Sequence, residues 1–328
     1  MHDYRSDYGD CSALAGGLAY VTGHGTYLKI ELPSAQISEM FAYQGAVVFV
    51  EKGATVEMIN NVIVHYSEAY EGTIAYVVDR SRFIINTSID ISYNRAHRRG
   101  LFYVSDGSQI YANELRLFGN SAGYDSVILY AENNRVEYHI VDDSSSISAM
   151  DTSVVESWLE NLDISRNRIV SKGRLITLIE SNFTISDSQF TSNEISTDNY
   201  GVYASYAEVD ILNCKFVGPA DPYVHYDLDN FEYSDVNGAF IQAQEYSRVW
   251  VSKCEFTGGR GIYGGCIIQQ GYSRLKIEDS QFYMCTAEYG GAIYASAHRS
   301  LEVRRSNFTM NYSFIGYGQN IYSVNAYE

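Results

Sequence analysis

The feature that most restricts the fold of this chain is a phenylalanine or branched aliphatic residue that recurs about every 26 residues. The intervals between successive members of the phenylalanine series are 26, 40, 26 and 26 residues, and aliphatic positions extend the series towards the N-terminus. The ten positions are Ile37, Val64, Ile91, Leu117, Ile164, Phe190, Phe216, Phe256, Phe282 and Phe308. Self-similarity at a fixed period of about 20–50 residues marks a repeat architecture. We therefore predict one solenoid domain over residues 1–328.

The segments between these positions alternate between apolar and polar residues with a period of two. Examples are Val209-Asp210-Ile211, Leu275-Lys276-Ile277 and Leu301-Glu302-Val303. Such alternation is typical of strands with one buried face. Each repeat holds three short apolar segments, whereas a propeller blade needs four strands and about 40 residues. The sequence thus predicts an all-β fold, a single-stranded parallel β-helix of about eleven coils of 26–28 residues, with three strands in each coil.

Stacking of the coils makes residues one period apart into neighbours, which tests the predicted register. Lys276 then meets Glu302, Glu278 meets Arg304, and Asp279 meets Arg305. Opposite charges on adjacent strands each contribute about 0.2–1 kcal/mol, and less when they are exposed. An asparagine also follows many of the repeat positions by three residues, where we expect it to hydrogen-bond its copy one coil away. These asparagines are Asn94, Asn120, Asn167, Asn193 and Asn311.

The same repeats carry a family resemblance. Residues 290–294, Gly-Gly-Ala-Ile-Tyr, and residues 308–311, Phe-Thr-Met-Asn, resemble the paired GGA(I/L/V) and FxxN motifs of polymorphic outer membrane protein repeats. The resemblance is strong over residues 173–328 and weaker before them. It implies a right-handed, pectin-lyase-like parallel β-helix that is displayed on a cell surface as an adhesin or a structural stalk.

Composition restricts the partners and the location. Forty acidic residues against 23 basic ones give a net charge of −17, which argues against nucleic acid or an anionic membrane as partner. No apolar run approaches the roughly 20 residues that cross a bilayer, so we expect no membrane insertion by this segment. Residues 1–5 lack a signal-peptide core, and we expect a mature chain or a fragment of an extracellular or cell-surface protein. Four sequons are candidate glycosylation sites: Asn86, Asn182, Asn307 and Asn311.

The five cysteines suggest structure rather than metal binding. Cys214 and Cys254 occupy one inward column, and neighbouring parallel strands hold their α-carbons within the range that a disulfide accepts. A reduced pair of thiols fits the column equally well. No CxxC motif or Cys/His spacing predicts zinc, and we expect no metal and no cofactor.

The period breaks at two predicted loop insertions, at about 141–160 and 218–236. In the first, residues 153–159 have a pattern compatible with two helical turns that pack Trp158 back on the rod. The second is acidic and aromatic, which is compatible with calcium or partner binding and also with a simple solvated excursion, because it lacks the spacing of a calcium loop.

Catalysis on a β-helix needs carboxylates that converge from adjacent coils. The two outward columns beside the phenylalanine series hold no adjacent acids, and no nucleotide loop, HExxH or GxSxG motif occurs. We therefore expect no catalytic residues and no enzyme activity. The 30 tyrosines form outward columns, which either stiffen the rod or offer flat surfaces for sugars and proteins.

The predicted terminal coils lack a capping helix, and a bare coil exposes both core and unpaired strand edges. Such edges meet either further repeats or another copy of the chain. We expect an extracellular structural protein that assembles head to tail into a homopolymeric filament or surface layer. The alternatives are a cell-surface adhesin or stalk segment that binds glycans or protein, and a carbohydrate-active enzyme. The predicted assembly edges are Leu18, Tyr20, Ile321, Tyr322 and Val324.

Overall fold

The computed structural model describes residues 7–8, 11–31, 36–134, 156–169, 173–193, 200–218 and 239–326. These residues form 41 strands, numbered β1 to β41 in chain order, and no helix. The strands wind into a right-handed parallel β-solenoid of about ten turns. The predicted all-β parallel β-helix is therefore confirmed.

Five parallel sheets, which we call A to E, run along the rod. Sheet A consists of β1 (Asp7–Tyr8), β5 (Gln36–Ser38), β9 (Val62–His65), β13 (Ile89–Ser92), β17 (Leu115–Phe118), β21 (Asp163–Ser165), β25 (Gln189–Thr191), β28 (Lys215–Val217), β31 (Glu255–Thr257), β35 (Gln281–Tyr283) and β39 (Asn307–Thr309). Sheet B consists of β2 (Ser12–Ala15), β6 (Phe41–Gln44), β10 (Glu68–Glu71), β14 (Arg95–Arg98), β18 (Ser121–Ala122) and β22 (Arg168–Ile169). Sheet C consists of β3 (Ala19–Thr22), β7 (Val48–Glu51), β11 (Ala75–Val77), β15 (Phe102–Ser105), β19 (Asp125–Glu132), β23 (Gly173–Ile179), β26 (Tyr200–Ser205), β29 (Ile241–Gln244), β33 (Ile267–Gln269), β37 (Ile293–Ser296) and β41 (Ile321–Val324). Sheet D consists of β4 (Tyr27–Glu31), β8 (Thr55–Ile59), β12 (Arg82–Ile85), β16 (Gln109–Asn113), β20 (Glu156–Glu160), β24 (Asn182–Ser186), β27 (Glu208–Leu212), β30 (Arg248–Ser252), β34 (Arg274–Glu278) and β38 (Ser300–Arg304). Sheet E consists of β32 (Arg260–Tyr263), β36 (Thr286–Tyr289) and β40 (Tyr312–Tyr317).

Most coils have four strands and not the predicted three. A coil passes through sheet A, then sheet B or E, then sheet C, and then sheet D before it returns to sheet A. The strand that the sequence did not reveal carries a single small inward residue, such as Ala69 in β10 or Ala96 in β14. One buried alanine between polar neighbours is too short a pattern to predict a strand.

The chain turns at each corner of the coil through residues in the left-handed backbone region. Non-glycine residues occupy three of the corners, as at Tyr93 (φ 56°) after sheet A, Asp106 (φ 55°) after sheet C and Glu114 (φ 59°) after sheet D. At the corner before sheet C, Gly45 has a φ of 58°, and a Cβ there would lie 2.3 Å from the carbonyl oxygen of Val48. That contact requires glycine at this corner.

The repeat residues stack in one column inside sheet A. Each of the ten is the direct partner of the next, from Ile37 beside Val64 to Phe282 beside Phe308. The rings of Phe216 and Phe256 lie parallel with centroids 5.0 Å apart, and those of Phe256 and Phe282 are 4.7 Å apart. Nine of the ten side chains are buried, and Phe308 in the last coil is partly buried.

A column of buried asparagines follows the same sheet. The Oδ1 atom of Asn120 accepts a hydrogen bond from the backbone N–H of Asn94 at 2.9 Å. The Nδ2 atom of Asn120 in turn donates to the Oδ1 atom of Asn167, 3.1 Å away, and to the carbonyl oxygen of Ile91, 2.9 Å away. Each amide thus joins backbone groups of adjacent coils at the bend where strand pairing stops.

The two predicted insertions lie largely outside the described residues, as does the acidic segment with its suggested calcium site. The end of the first insertion is different from the prediction. Residues 156–160 form strand β20 in register with β16 and β24, and Trp158 is exposed on its outer face. The alternating Glu-Ser-Trp-Leu-Glu pattern has a period of two and directs Leu159 inwards, so these residues belong to the rod and not to a helix.

Replacement of Phe282 by alanine tests the core of sheet A. The side chain is buried between Phe256 and Phe308, so its removal leaves a cavity between stacked rings and costs about 3–5 kcal/mol of unfolding free energy. Denaturant unfolding measures this loss. Tyr283→Ala is the matched control, since the Tyr283 side chain points outwards from the same strand and is exposed. A loss below about 1 kcal/mol for Phe282→Ala would show that the column is not core.

Candidate functional site

The last described coil has an open face. In the preceding coil the inward residues Leu275, Phe282 and Ile293 are at most 1% exposed. Their partners in the last coil, Leu301, Phe308 and Ile321, are only partly buried. The terminal strands β38, β39, β40 and β41 have a strand neighbour on one side only among the described residues. Apolar side chains and strand edges are therefore exposed together at this end.

The backbone at this edge is also oriented for a further coil. In six coils the N–H at the start of the sheet C strand donates towards the next coil, for example from Ile267 to the carbonyl of Ala292 at 3.0 Å and from Ile293 to the carbonyl of Asn320 at 2.8 Å. Ile321 occupies the same position in the last strand. Because the same orientation repeats in each coil, the N–H of Ile321 points out of the end of the rod, where the described residues form no further strand of sheet C.

The first described coil is open in the opposite direction. Leu14 is 81% exposed, and Leu18, Ala19 and Leu28 are only partly buried against the core. The equivalents of Leu18 in later coils accept hydrogen bonds from the coil before them, as Val47 does from Ala19 at 3.1 Å. The carbonyl of Leu18 therefore faces out of this end of the rod.

The outer column of sheet C is aromatic at both open ends. At the N-terminal end Tyr20 stacks on Phe49 with ring centroids 5.0 Å apart, and at the C-terminal end Tyr294 stacks on Tyr322 at 5.8 Å. Tyr20 also donates from its hydroxyl to Glu51 Oε1 at 2.7 Å. The five predicted edge residues thus lie in the terminal strands or beside them, and Val324 is partly exposed at the end of β41.

A second surface lies on the outer side of sheet D, and we call it the sheet D face. It holds both tryptophans of the chain in one column, Trp158 at 47% and Trp250 at 37% exposure, with Thr184 and Asp210 between them. Three strand steps separate the two indoles by about 14 Å. Beside Trp250, a groove of about 330 Å³ is open to solvent and is lined by Asp210, Glu208, Arg248, Lys276 and others.

Polar contacts hold this face in place. Arg248 forms an ion pair with Glu208 at 3.1 Å, and Thr184 donates to Glu156 Oε1 at 3.0 Å. The ammonium group of Lys276 lies 5.0 Å from the ring centre of Trp250. Burial raises the pKa of Asp210, and the negative charges of Glu156 and Glu208 raise it further. The face thus combines two aromatic platforms with carboxylate acceptors.

Sequence reasoning missed the sheet D face for an identifiable reason. The columns that the sequence argument tests for adjacent acidic residues lie beside the phenylalanine series, and these columns belong to sheet A. Trp158 was assigned to a helix in the insertion, which hid its alignment with Trp250 three strands away. Aligning the middle residues of the alternating sheet D segments would have revealed both tryptophans.

Of the two alternatives for Cys214 and Cys254, the structure has the reduced pair, and the candidate disulfide is absent. Both are buried free thiols. The Cys254 sulfur accepts a hydrogen bond from the Cys214 N–H at 3.4 Å, as the Ser280 hydroxyl does from the Cys254 N–H at 3.1 Å. The thiols therefore take the place of serine in a hydrogen-bonded column. The disulfide instead joins Cys266 and Cys285, with α-carbons 5.8 Å apart.

The four sequons differ in accessibility. Asn86 and Asn307 are exposed and Asn182 is half-buried. Asn311 is 8% exposed, and its Nδ2 atom donates to the carbonyl of Phe282 and to Asn320 Oδ1. Because a glycan attaches through this nitrogen, the structure contradicts Asn311 as a glycosylation site.

Two further features are absent from the described ranges. No three His, Cys, Asp or Glu side chains in these ranges are grouped so that they could hold a metal ion. The same part of the chain has no helix of the length and hydropathy that a membrane span requires.

The raised pKa of Asp210 predicts a pH-dependent effect on stability. Its folded pKa lies above the ordinary value of 3.8, so ionised Asp210 opposes folding at neutral pH, and this cost is lost as the pH falls through the raised pKa. Asp210→Asn should therefore raise the melting temperature at pH 7, and the gain should vanish below pH 3.8.

Asp279→Asn is the control with the opposite sign. A hydrogen bond from Arg305 lowers the pKa of Asp279, so this variant should lose stability at pH 7. Thermal unfolding at both pH values measures the two effects. A melting temperature at pH 7 that is unchanged or lower in Asp210→Asn would contradict the prediction.

Comparison with known proteins gives one match. Residues 180–326 match the family model described as right-handed beta helix region. No curated protein and no solved structure matches the chain. The matched range begins in the coil of Phe190 and includes all later described coils, and its description agrees with the right-handed β-helix fold.

Proposed function

We propose that this protein is an extracellular structural β-helix that associates head to tail into a filament or surface layer. The observation that carries the proposal is the partial exposure of Leu301, Phe308 and Ile321, whose equivalents one coil earlier are buried. Another copy placed on this face would bury Phe308 and Ile321 and pair the edges of β39 and β41 at the same time. Strand addition supplies main-chain hydrogen bonds without special side chains.

An extracellular or cell-surface location has three supports. The disulfide between Cys266 and Cys285 is typical of oxidising compartments. The GGAI and FxxN motifs around residues 290–311 resemble repeats of polymorphic outer membrane proteins, which are displayed on cell surfaces. Asn86 and Asn307 add exposed sequons to this argument.

The repeat geometry identifies one hydrogen bond of the proposed contact. The N–H of Ile321 leaves one end of the rod, and the carbonyl of Leu18 leaves the other. Equivalent groups are hydrogen-bonded between adjacent coils within the rod, as from the N–H of Ala19 to the carbonyl of Val47. The proposed contact therefore joins Ile321 of one copy to Leu18 of the next.

Ile321→Pro tests this contact. Proline removes the donor that leaves the rod, so the variant should stay monomeric while its circular dichroism remains that of a β-fold. The unchanged protein should form long unbranched filaments in electron microscopy. Ile321→Val is the matched control, because it keeps the donor and the branched shape, and it should assemble. If the unchanged protein sediments as a monomer at high concentration, the head-to-tail proposal is wrong.

The sheet D face favours a second function, that of a glycan-binding adhesin. Aromatic rings such as Trp158 and Trp250 stack on the apolar faces of sugar rings, and the intervening Asp210 can accept hydrogen bonds from hydroxyl groups. Three acidic side chains and three basic ones line the groove, and this balance favours neutral sugars over charged ones. We propose no catalysis here, because Glu208 and Glu156 are engaged by Arg248 and Thr184.

Tryptophan fluorescence tests this second function directly, since both tryptophans lie on the face. Titration with neutral hexasaccharides should change the emission, and Trp158→Ala should weaken binding about tenfold. Tyr43→Ala, which removes an exposed ring from sheet B, should leave binding unchanged. Binding that survives loss of both tryptophans, measured by calorimetry, would exclude the site, and release of reducing ends would indicate an enzyme instead.

A further inference from the structure

Five tyrosines occupy corners of the coil in the left-handed backbone region. Among the described residues these are the tyrosines with a positive φ, from 51° to 59°, and each is between 41% and 57% exposed: Tyr66, Tyr93, Tyr206, Tyr246 and Tyr272. The first two form a column after sheet A, and the other three form a column after sheet C, which we call the corner column. We infer that the corner column is a modification site, at which a peroxidase and hydrogen peroxide join Tyr246 to Tyr272 through a carbon–carbon bond. This inference goes beyond the proposed assembly and does not depend on it.

The backbone does not require tyrosine at these corners. A positive φ suits glycine, asparagine and aspartate far better than it suits a bulky side chain. Earlier corners after sheet C accordingly use Asp106, with a φ of 55°, and Asn133, with a φ of 53°. A bulky residue in a conformation that it adopts at a cost points to a role for its side chain.

Stacking restricts which part of the ring can take this role. Tyr246 lies between Tyr206 and Tyr272, with ring centroids 5.8 Å and 5.5 Å away. Both faces of the Tyr246 ring are therefore covered, so a sugar or another flat ligand finds no free face to stack on. The exposed part of the ring is its edge, which carries the hydroxyl group and the ortho carbons beside it.

This edge is where phenols couple oxidatively. One-electron oxidation removes an electron from the phenol together with the hydroxyl proton, and the resulting phenoxyl radical carries spin density on the ortho carbons. Two such radicals form a bond between ortho carbons, and the hydrogen of each of these carbons then moves to the phenoxyl oxygen. Overall, two phenols lose two hydrogen atoms, and one hydrogen peroxide is reduced to two water molecules.

The corner column holds two phenols together before the oxidation. The rings of Tyr246 and Tyr272 are within 8° of parallel, so their edges face the same side of the rod. Neighbours on adjacent coils have a high effective concentration for each other, whereas tyrosines of other molecules are dilute. The column after sheet A is less suited, because its rings are 5.7 Å apart and the next ring beside Tyr93 is Phe118, which has no hydroxyl group.

The new bond would extend a covalent link that the rod already has. The disulfide between Cys266 and Cys285 joins the coil of Tyr272 to the coil that follows it. A bond between Tyr246 and Tyr272 joins the same coil to the coil that precedes it. Three successive coils would then be connected covalently, with one bond inside the rod and one on its surface.

Mild oxidation of the dilute protein with a haem peroxidase and hydrogen peroxide tests the inference. After reduction of the disulfide, trypsin places Tyr246 on the peptide 216–248 and Tyr272 on the peptide 261–274. We expect these two peptides to be joined in monomeric protein, with a mass two hydrogen atoms below their sum, and fragmentation to locate the bond at Tyr246 and Tyr272. The yield of this product in monomers should not change when the protein is diluted about tenfold, because the reaction lies within one chain.

Two variants show whether the phenols of the column are responsible. Tyr246→Phe and Tyr272→Phe each keep a stacked ring and remove the hydroxyl group, so each should lower the yield of the product at least about tenfold. Tyr312→Phe is the matched control, since Tyr312 is 44% exposed and its ring meets that of Phe314, and the yield should stay the same. Circular dichroism checks that all three variants keep the β-fold.

The opposite results would overturn the inference. Folded protein that is oxidised at other tyrosines while Tyr246 and Tyr272 stay unlinked would show that the corner column is not a coupling site. Joined peptides that occur only in covalent dimers, with a yield that falls on dilution, would show coupling between molecules and not within the column. A product that persists in Tyr246→Phe would place the bond on other residues.

Discussion

The structure depends on in-register stacking of each coil on the next. Every strand lies beside its own equivalent, so one alignment sets the backbone hydrogen bonds, the ring stack of Phe216 and Phe256, and the amide column through Asn120. A slip of one residue would turn all inward side chains outwards. Because the columns are mutually consistent, a single register satisfies the aromatic, polar and charged residues together.

The same constraint orders the surface. Residues that face solvent repeat one coil apart, so exposed side chains form straight columns along the rod. Trp158 and Trp250 are aligned for this reason although 92 positions separate them in the sequence. The corners of the coil also form such columns. Tyr246 and Tyr272 both have a left-handed backbone conformation, and the centroids of their stacked rings are 5.5 Å apart. A surface of this kind suits extended partners more than compact ones.

The features that the sequence predicted correctly are those that recur at a constant interval. A large residue such as Phe282 at a constant interval identifies both the fold and the register, because few other residues can fill that interior position. The four-sided coil was not predictable, since its additional strand contributes only an alanine such as Ala69. The disulfide was also missed, because Cys266 and Cys285 are 19 positions apart and column reasoning compares residues one period apart. The sheet D face was hidden by an insertion that displaced Trp158 from the regular interval.

A solenoid built in this way has no interaction that fixes its length. The contact that joins two neighbouring coils is also available between two terminal coils, and only chain connectivity distinguishes folding from assembly. The proposed junction is nevertheless weaker than an internal contact. The first coil offers Ala19 where a later coil offers Phe102, so less apolar surface is buried there. Without covalent linkage, association also costs translational freedom. A filament of this protein should therefore break and re-form at the junctions while each rod stays folded.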